Sequence, residues 1–119
     1  MTNDQYHLLE QDIKDISWGN ADSDWTPPQT LPDLSQYDTI SIDLETRDEN
    51  LIKLGPGWCR KDGNIIGIAV GAGDSAWYFP IAHTVGNMPR KVVMKWLSDV
   101  CSDTKKTVVF HNALYDLGW

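Results

Sequence analysis

The chain has 119 residues, of which 41% are hydrophobic and 23% charged, and a net charge of −7. Those values describe one modest globular domain with a single core. No apolar run reaches membrane-spanning length, and the first ten residues lack the basic and apolar regions of a signal peptide, so a cytoplasmic location is expected. Cys59 and Cys101 form no C-x-x-C pair and have no histidine at ligand spacing, which argues against zinc and against a disulfide framework; both are expected to be reduced packing residues.

The acidity is unevenly spread. Residues 1–38 hold eight acids and one base, Lys14, and residues 39–119 hold nine of each. The excess negative charge therefore belongs to the leading segment. The remainder is neutral, which neither excludes a nucleic-acid partner nor supplies a basic patch for one.

Residues 1–37 read as a leader and linker, and 38–119 as the domain. Leu8, Leu9, Ile13 and Ile16 recur at near-helical spacing and predict one short amphipathic helix. Trp18 to Pro32 is rich in Asn, Asp, Ser and Pro, and Pro27, Pro28 and Pro32 exclude regular structure there. Trp18 and Trp25 are expected to anchor this stretch to the body.

Asp38 to Thr46 is the segment around which the rest is organised. Side chains alternate along a strand, so Ile40, Ile42 and Leu44 share one face while Ser41, Asp43 and Glu45 share the other. Two carboxylates side by side repel, and a divalent cation between them removes that cost. The competing reading is that Asp43 and Glu45 form the solvated face of an edge strand.

Arg47 to Gly63 contains Gly55-Pro56-Gly57 and reads as a long loop with tight turns. Asn64 to Val70 is apolar and β-branched, hence a buried strand. Gly71 to Asp74 turns the chain into a second strand, Ser75 to Phe79, ended by Pro80. No helix and no Lys-Ser/Thr follows Gly71-Ala72-Gly73, so it is a turn and not a phosphate loop. Pro89 suits the first turn of a helix whose stripe is Val92, Val93, Trp96, Leu97 and Val100. Thr107 to Phe110 is a short strand, and Asn112 begins a further helical pattern. The order β-β-β-α-β-α, with a helix between the third and fourth strands, places the fourth parallel to the first in a mixed α/β sheet.

The final segment repeats the logic of the first, because a buried strand delivers polar groups to the start of a helix. Asn112 and Asp116 are four apart and share a face. Asn112 alone is explained as a helix N-cap, and Asp116 alone as an acid near the positive end of a helix dipole. If the fourth strand lies beside the first, however, Asp116 converges with Asp43 and Glu45.

These residues carry a resemblance. Asp43-Leu44-Glu45-Thr46 and Asn112-Ala113-Leu114-Tyr115-Asp116 resemble the first two motifs of the DEDD superfamily of 3′-5′ exonucleases. Between them, Trp77-Tyr78-Phe79-Pro80-Ile81-Ala82-His83 is similar to the tyrosine-isoleucine-proline-valine-alanine-histidine segment of proofreading domains in family A DNA polymerases. With Leu54-Gly55-Pro56-Gly57-Trp58 and Asp62-Gly63, the pattern looks most like the phage branch. The resemblance implies a ribonuclease H-like fold and two-metal hydrolysis of phosphodiester bonds at the 3′ end of single-stranded DNA. It implies that Asp43, Glu45 and Asp116 hold two Mg²⁺ or Mn²⁺ ions, hard cations suited to oxygen ligands, and that Thr46 and Asn112 contact the terminal nucleotide or order the ligands. His111, next to Asn112, is expected to line the same cleft.

The family pattern also has a fourth carboxylate in a tyrosine-x-x-x-aspartate or histidine-x-x-aspartate motif on a later helix. No such motif follows Asp116. The expectation is therefore the front part of a longer polymerase or exonuclease, with apolar surface left open on Val108, Val109, Leu114 and Trp119. Two other readings stay open: a non-catalytic exonuclease-like module that binds DNA or a partner, and an RNA-degrading relative. His83, in a Pro-containing turn, is expected to be packed and hydrogen-bonded.

Overall fold

Alternation of apolar and polar residues builds the centre of this fold in a computed structural model that describes residues 25–119. Strand β1 (Thr39–Arg47) buries Ile40 and Ile42 on one face and exposes Ser41, Asp43 and Glu45 on the other. Strand β2 (Asn64–Ala72) pairs with it antiparallel, and β3 (Ser75–Pro80) pairs antiparallel with β2. Strand β4 (Thr107–Val109) pairs parallel with β1, giving the order β3-β2-β1-β4. The result is the mixed α/β sheet expected from the order of elements, compatible with a ribonuclease H-like fold. Strand β1 starts inside the sheet, between β2 and β4, but Asp43 and Glu45 lie beyond its pairing with β4 and are flanked by β2 alone.

Ile40, Ile42, Ile68, Val70 and Phe79 form one apolar face. It is covered by a helix of thirteen residues, Arg90–Ser102, whose Val93 is fully buried and whose Trp96 ring meets Phe79 edge to face at 5.1 Å. The predicted stripe needs one correction. Val92 points to solvent, because the helix is phased on Val93, Trp96, Leu97 and Val100, and Val92 falls about 100° away from that line.

The connection after β1 is not a plain loop. It contains two single-turn helices, α1 (Leu51–Leu54) and α2 (Gly57–Arg60), which makes the long helix α3 (Arg90–Ser102) and the last turn α4 (Ala113–Asp116). The β2–β3 turn is also shorter than expected. Gly71 and Ala72 remain in β2, paired with Ala76 and Ser75, and only Gly73 and Asp74 turn the chain. Gly73 has φ +56°, the positive value that the first position of a glycine-led two-residue hairpin requires.

Among the described residues before β1, Leu34 is buried in the core and the chain is tied down by two donors. Trp96 Nε1 donates to the Pro32 carbonyl at 3.1 Å, and the Lys106 ammonium donates to the carbonyls of Leu34 and Tyr37, both at 2.7 Å. Trp25 is exposed, with its ring 6.0 Å from that of Tyr78. The helix predicted over Leu8–Ile16, and Trp18, lie outside the described residues.

Cys59 and Cys101 are free and exposed, not packed: Cys59 sits on a single exposed turn, and Cys101 lies off the buried stripe of α3. Val109 and Leu114 are open as expected, whereas Val108 and Trp119 pack against the core. No helix among the described residues is long and apolar enough to cross a membrane.

The core contact between sheet and α3 sets the stability. Phe79→Ala removes a fully buried ring and should cost about 3–5 kcal/mol in urea unfolding. Val92→Ala, on the same helix but facing water, should stay within about 0.5 kcal/mol. Equal losses would contradict the phase of α3.

Candidate metal and nucleic-acid site

Strand β1 continues beyond Ser41, the last residue it pairs with β4. Past that point the backbone N–H of Leu44 donates to Oδ2 of Asp116 at 3.3 Å. Leu44 lies between Asp43 and Glu45, so this bond brings the carboxylate of α4 to the backbone between the two acids, where the charge of Asp43 acts on it. The opening strand and the closing turn thus meet in space.

Asp116 is 6% exposed, and among the described residues it is the charged residue that is buried. Burial pushes its pKa up, the Leu44 N–H opposes that shift, the charge of Asp43 raises it further and His111 lowers it. Asp43 and Asp116 therefore feel each other directly, and His111 stands near enough to matter. Asp43 and His111 also line a groove on this face, with Ser41, Ala69, Gly71 and Val109.

Small residues of β2 lie opposite the polar face of β1. Across β1, Gly71 pairs with Ser41, Ala69 with Asp43 and Gly67 with Glu45. With only Ala69 and Gly67 directly opposite them on β2, Asp43 and Glu45 stand exposed on this face. The ladder then shifts register between Glu45 and Thr46, which pairs with Ile65, so Ile66 is the additional residue on β2. The carbonyl freed there accepts the N–H groups of Ile81 and Ala82 at 2.9 and 3.0 Å. A bulge at this position ends the open carboxylate face and returns buried Ile65 to the core side.

Thr46 does not project onto the acid face. Its Oγ1 meets the Tyr115 hydroxyl at 2.7 Å, and that hydroxyl donates to Oδ2 of Asp48 at 3.0 Å. Asp48 also accepts the Gly57 N–H at 2.8 Å and lies 3.5 Å from the Arg60 guanidinium. Arg60 in turn donates to the carbonyls of Leu54 and Gly55. One nearly buried carboxylate therefore ties the end of β1, the two-turn connection and α4 together, and fixes the residue next to Asp116. Asp48, Arg60 and Tyr115 have no local sequence pattern that announces this network; the only available signal is an acid at the end of the strand carrying the Asp-x-Glu pair.

Asn112 departs from expectation. The helix it was to begin is one turn long and starts at Ala113, and Asn112 stands before it in the left-handed region (φ 54°, ψ 55°) with no side-chain capping bond. Asparagine tolerates that conformation better than most residues, and a sharp turn there swings Asp116 back toward β1. Its side chain is exposed beside Trp58, Leu114 and Tyr115. His111 is exposed as well.

The donor set is one of hard carboxylate oxygens, and the repulsion between Asp43 and buried Asp116 is of the kind a divalent cation relieves, so the residues suit Mg²⁺ or Mn²⁺ in chemistry. Among the described residues, no three His, Cys, Asp or Glu side chains are gathered closely enough to hold one ion together. Asp43 acts on Asp116 through its charge, and Glu45 follows two residues later on the same face of β1.

Two outcomes follow for α4. Because the folded protein raises the Asp116 pKa, its ionisation opposes folding: the penalty is absent below the ordinary carboxylate pKa and grows as pH rises through the folded value. Asp116→Asn keeps an acceptor for Leu44 and should raise the melting temperature at pH 7 by a few degrees, on the order of 4 °C, with the gain vanishing near pH 3. A loss at pH 7 would contradict the burial of a charge there. Tyr115→Phe leaves Asp48 short of a donor and should cost about 1–3 kcal/mol by urea unfolding.

No family model matches the chain. Over 100 residues, covering 80% of this chain, it is 38% identical to a DNA-directed DNA polymerase of Pseudomonas phage M6. The matched region is 15% of that polymerase, so the chain spans a small part of the relative's length. The similarity relates this chain to one part of a phage DNA polymerase.

Proposed function

We propose that this chain carries the metal-binding part of a proofreading 3′-5′ exonuclease that trims the 3′ end of single-stranded DNA. The observation that carries the reading is the placement of buried Asp116 against the backbone between Asp43 and Glu45, where the charge of Asp43 acts on it. The likeness to part of a phage DNA polymerase supports it. A proofreading activity serves such an enzyme directly, and the remainder of a polymerase is the natural partner.

In this reading Asp43 and Asp116 would hold Mg²⁺ or Mn²⁺, with Glu45 contributing from the same strand face. The bound cations supply Lewis acidity toward the phosphodiester and its attacking water. Thr46 acts through Tyr115, keeping α4 in place. His111 and Asn112 are exposed at the turn that leads into α4, where the terminal nucleotide would lie. The neutral charge of residues 39–119 leaves cations as the means of countering phosphate charge at this face.

A second reading, a non-catalytic module that binds DNA or a replication partner, is favoured by one observation: the three carboxylates do not gather around one point.

The test uses 5′-labelled single-stranded DNA with Mn²⁺, and the chain joined to the sequence that follows the matched region in the phage relative. The exonuclease reading expects stepwise shortening from the 3′ end with release of nucleoside monophosphates, reduced to background by Asp43→Ala. Digestion unchanged in that variant would overturn the assignment. DNA binding without nucleotide release would favour the second reading.

A further inference from the structure

The segment from Trp77 to His83 touches the bulge at the end of the acid face through the Ile81 and Ala82 amides, and its tyrosine reaches over β2 toward that face. Tyr78 belongs to β3 and pairs with Ala69 of β2. Its hydroxyl lies over Gly67: a Cβ placed on that glycine would overlap the oxygen. Gly67 is the β2 residue directly opposite Glu45. Directly opposed side chains in an antiparallel ladder stand about 4.5–5.5 Å apart at Cβ. The hydroxyl therefore occupies the place of the cross-strand neighbour that Glu45 otherwise lacks.

The electrostatics agree with this placement. Burial raises the Tyr78 pKa, and the charge of Glu45 raises it further. The hydroxyl is also held from behind. His83 Nε2 lies 2.6 Å from the Tyr78 oxygen, with the rings edge to face at 5.7 Å. His83 is in turn clamped by Asn87, whose Oδ1 accepts its N–H and whose Nδ2 donates to its carbonyl, both at 2.7 Å.

We propose that Tyr78 is a positioning residue for Glu45. With Nε2 of His83 donating to the tyrosine oxygen, the hydroxyl proton is directed at the Glu45 carboxylate and holds it on the face it shares with Asp43. Gly67 is required because any side chain there would fill the path of the tyrosine. The role of Glu45 as a cation ligand rests on the function proposed above; the placement of the Tyr78 hydroxyl opposite Glu45 does not.

The test therefore has two readouts. In the metal-free chain at pH 7, the side-chain carboxyl ¹³C resonance of Glu45 should move in Tyr78→Phe while that of Asp116 stays in place; an unmoved Glu45 resonance would overturn the proposal. In Mn²⁺ titrations followed by electron paramagnetic resonance, Tyr78→Phe should weaken binding about 10-fold and should have no effect in a Glu45→Gln background. Equal weakening in both backgrounds would show that Tyr78 acts through the fold, and would also overturn the proposal. If the unsubstituted chain binds no Mn²⁺, the proposed function fails while the Glu45 resonance still decides this contact.

Discussion

A single hydrogen bond, from the backbone of Leu44 to the carboxylate of Asp116, holds the candidate site together. It exists because β1 is longer than β4. Where the parallel pairing stops, a backbone donor is left on the β4 side of β1, and a buried donor without an acceptor costs about 1–3 kcal/mol. Asp116 answers that need with a charged oxygen. The same contact draws a carboxylate into a buried position beside Asp43, where burial and like charge both disfavour ionisation. Local backbone satisfaction and a charge in need of a counterion thus come from one interaction.

The surroundings serve that contact. Tyr115, adjacent to Asp116, is fixed through its hydroxyl to Thr46 and Asp48, and Asp48 is fixed to α2 and Arg60. The one-turn helix α4 has little stability of its own, since short helices rely on tertiary contacts. Its position is set by these polar contacts and by the edge-to-face pairing of Tyr115 with Trp119 at 6.0 Å. On the far side, α3 fills the apolar face of the sheet and leaves the acid face clear. The sheet therefore separates an apolar face that supplies stability from a face that carries the acids.

Much of this arrangement is legible in the residues. Alternation from Ile40 to Glu45 gives the two faces of β1, and the helix before Thr107 gives the parallel pairing that brings Asp116 back. What is not legible has identifiable causes. Asp48, Arg60 and Tyr115 meet through contacts as much as 67 residues apart, which no local periodicity encodes. Asn112 resembles an N-cap by type, yet it is used for its tolerance of positive φ. Gly67 reads as a weak spot in a buried strand, whereas its missing side chain makes room for Tyr78. Val92 misleads because an apolar residue beside a stripe looks like part of it.

The account turns on whether Asp43 and Asp116 act as one cation site. The most direct measurement is a Mn²⁺ titration followed by amide resonance broadening in ¹H–¹⁵N spectra, since paramagnetic broadening falls steeply with distance. The amides of Asp43, Leu44, Glu45 and Asp116 should broaden first and together. Broadening confined to other acids, such as Asp99 and Asp103 on the far side of the sheet, with sharp signals at those four, would contradict the account.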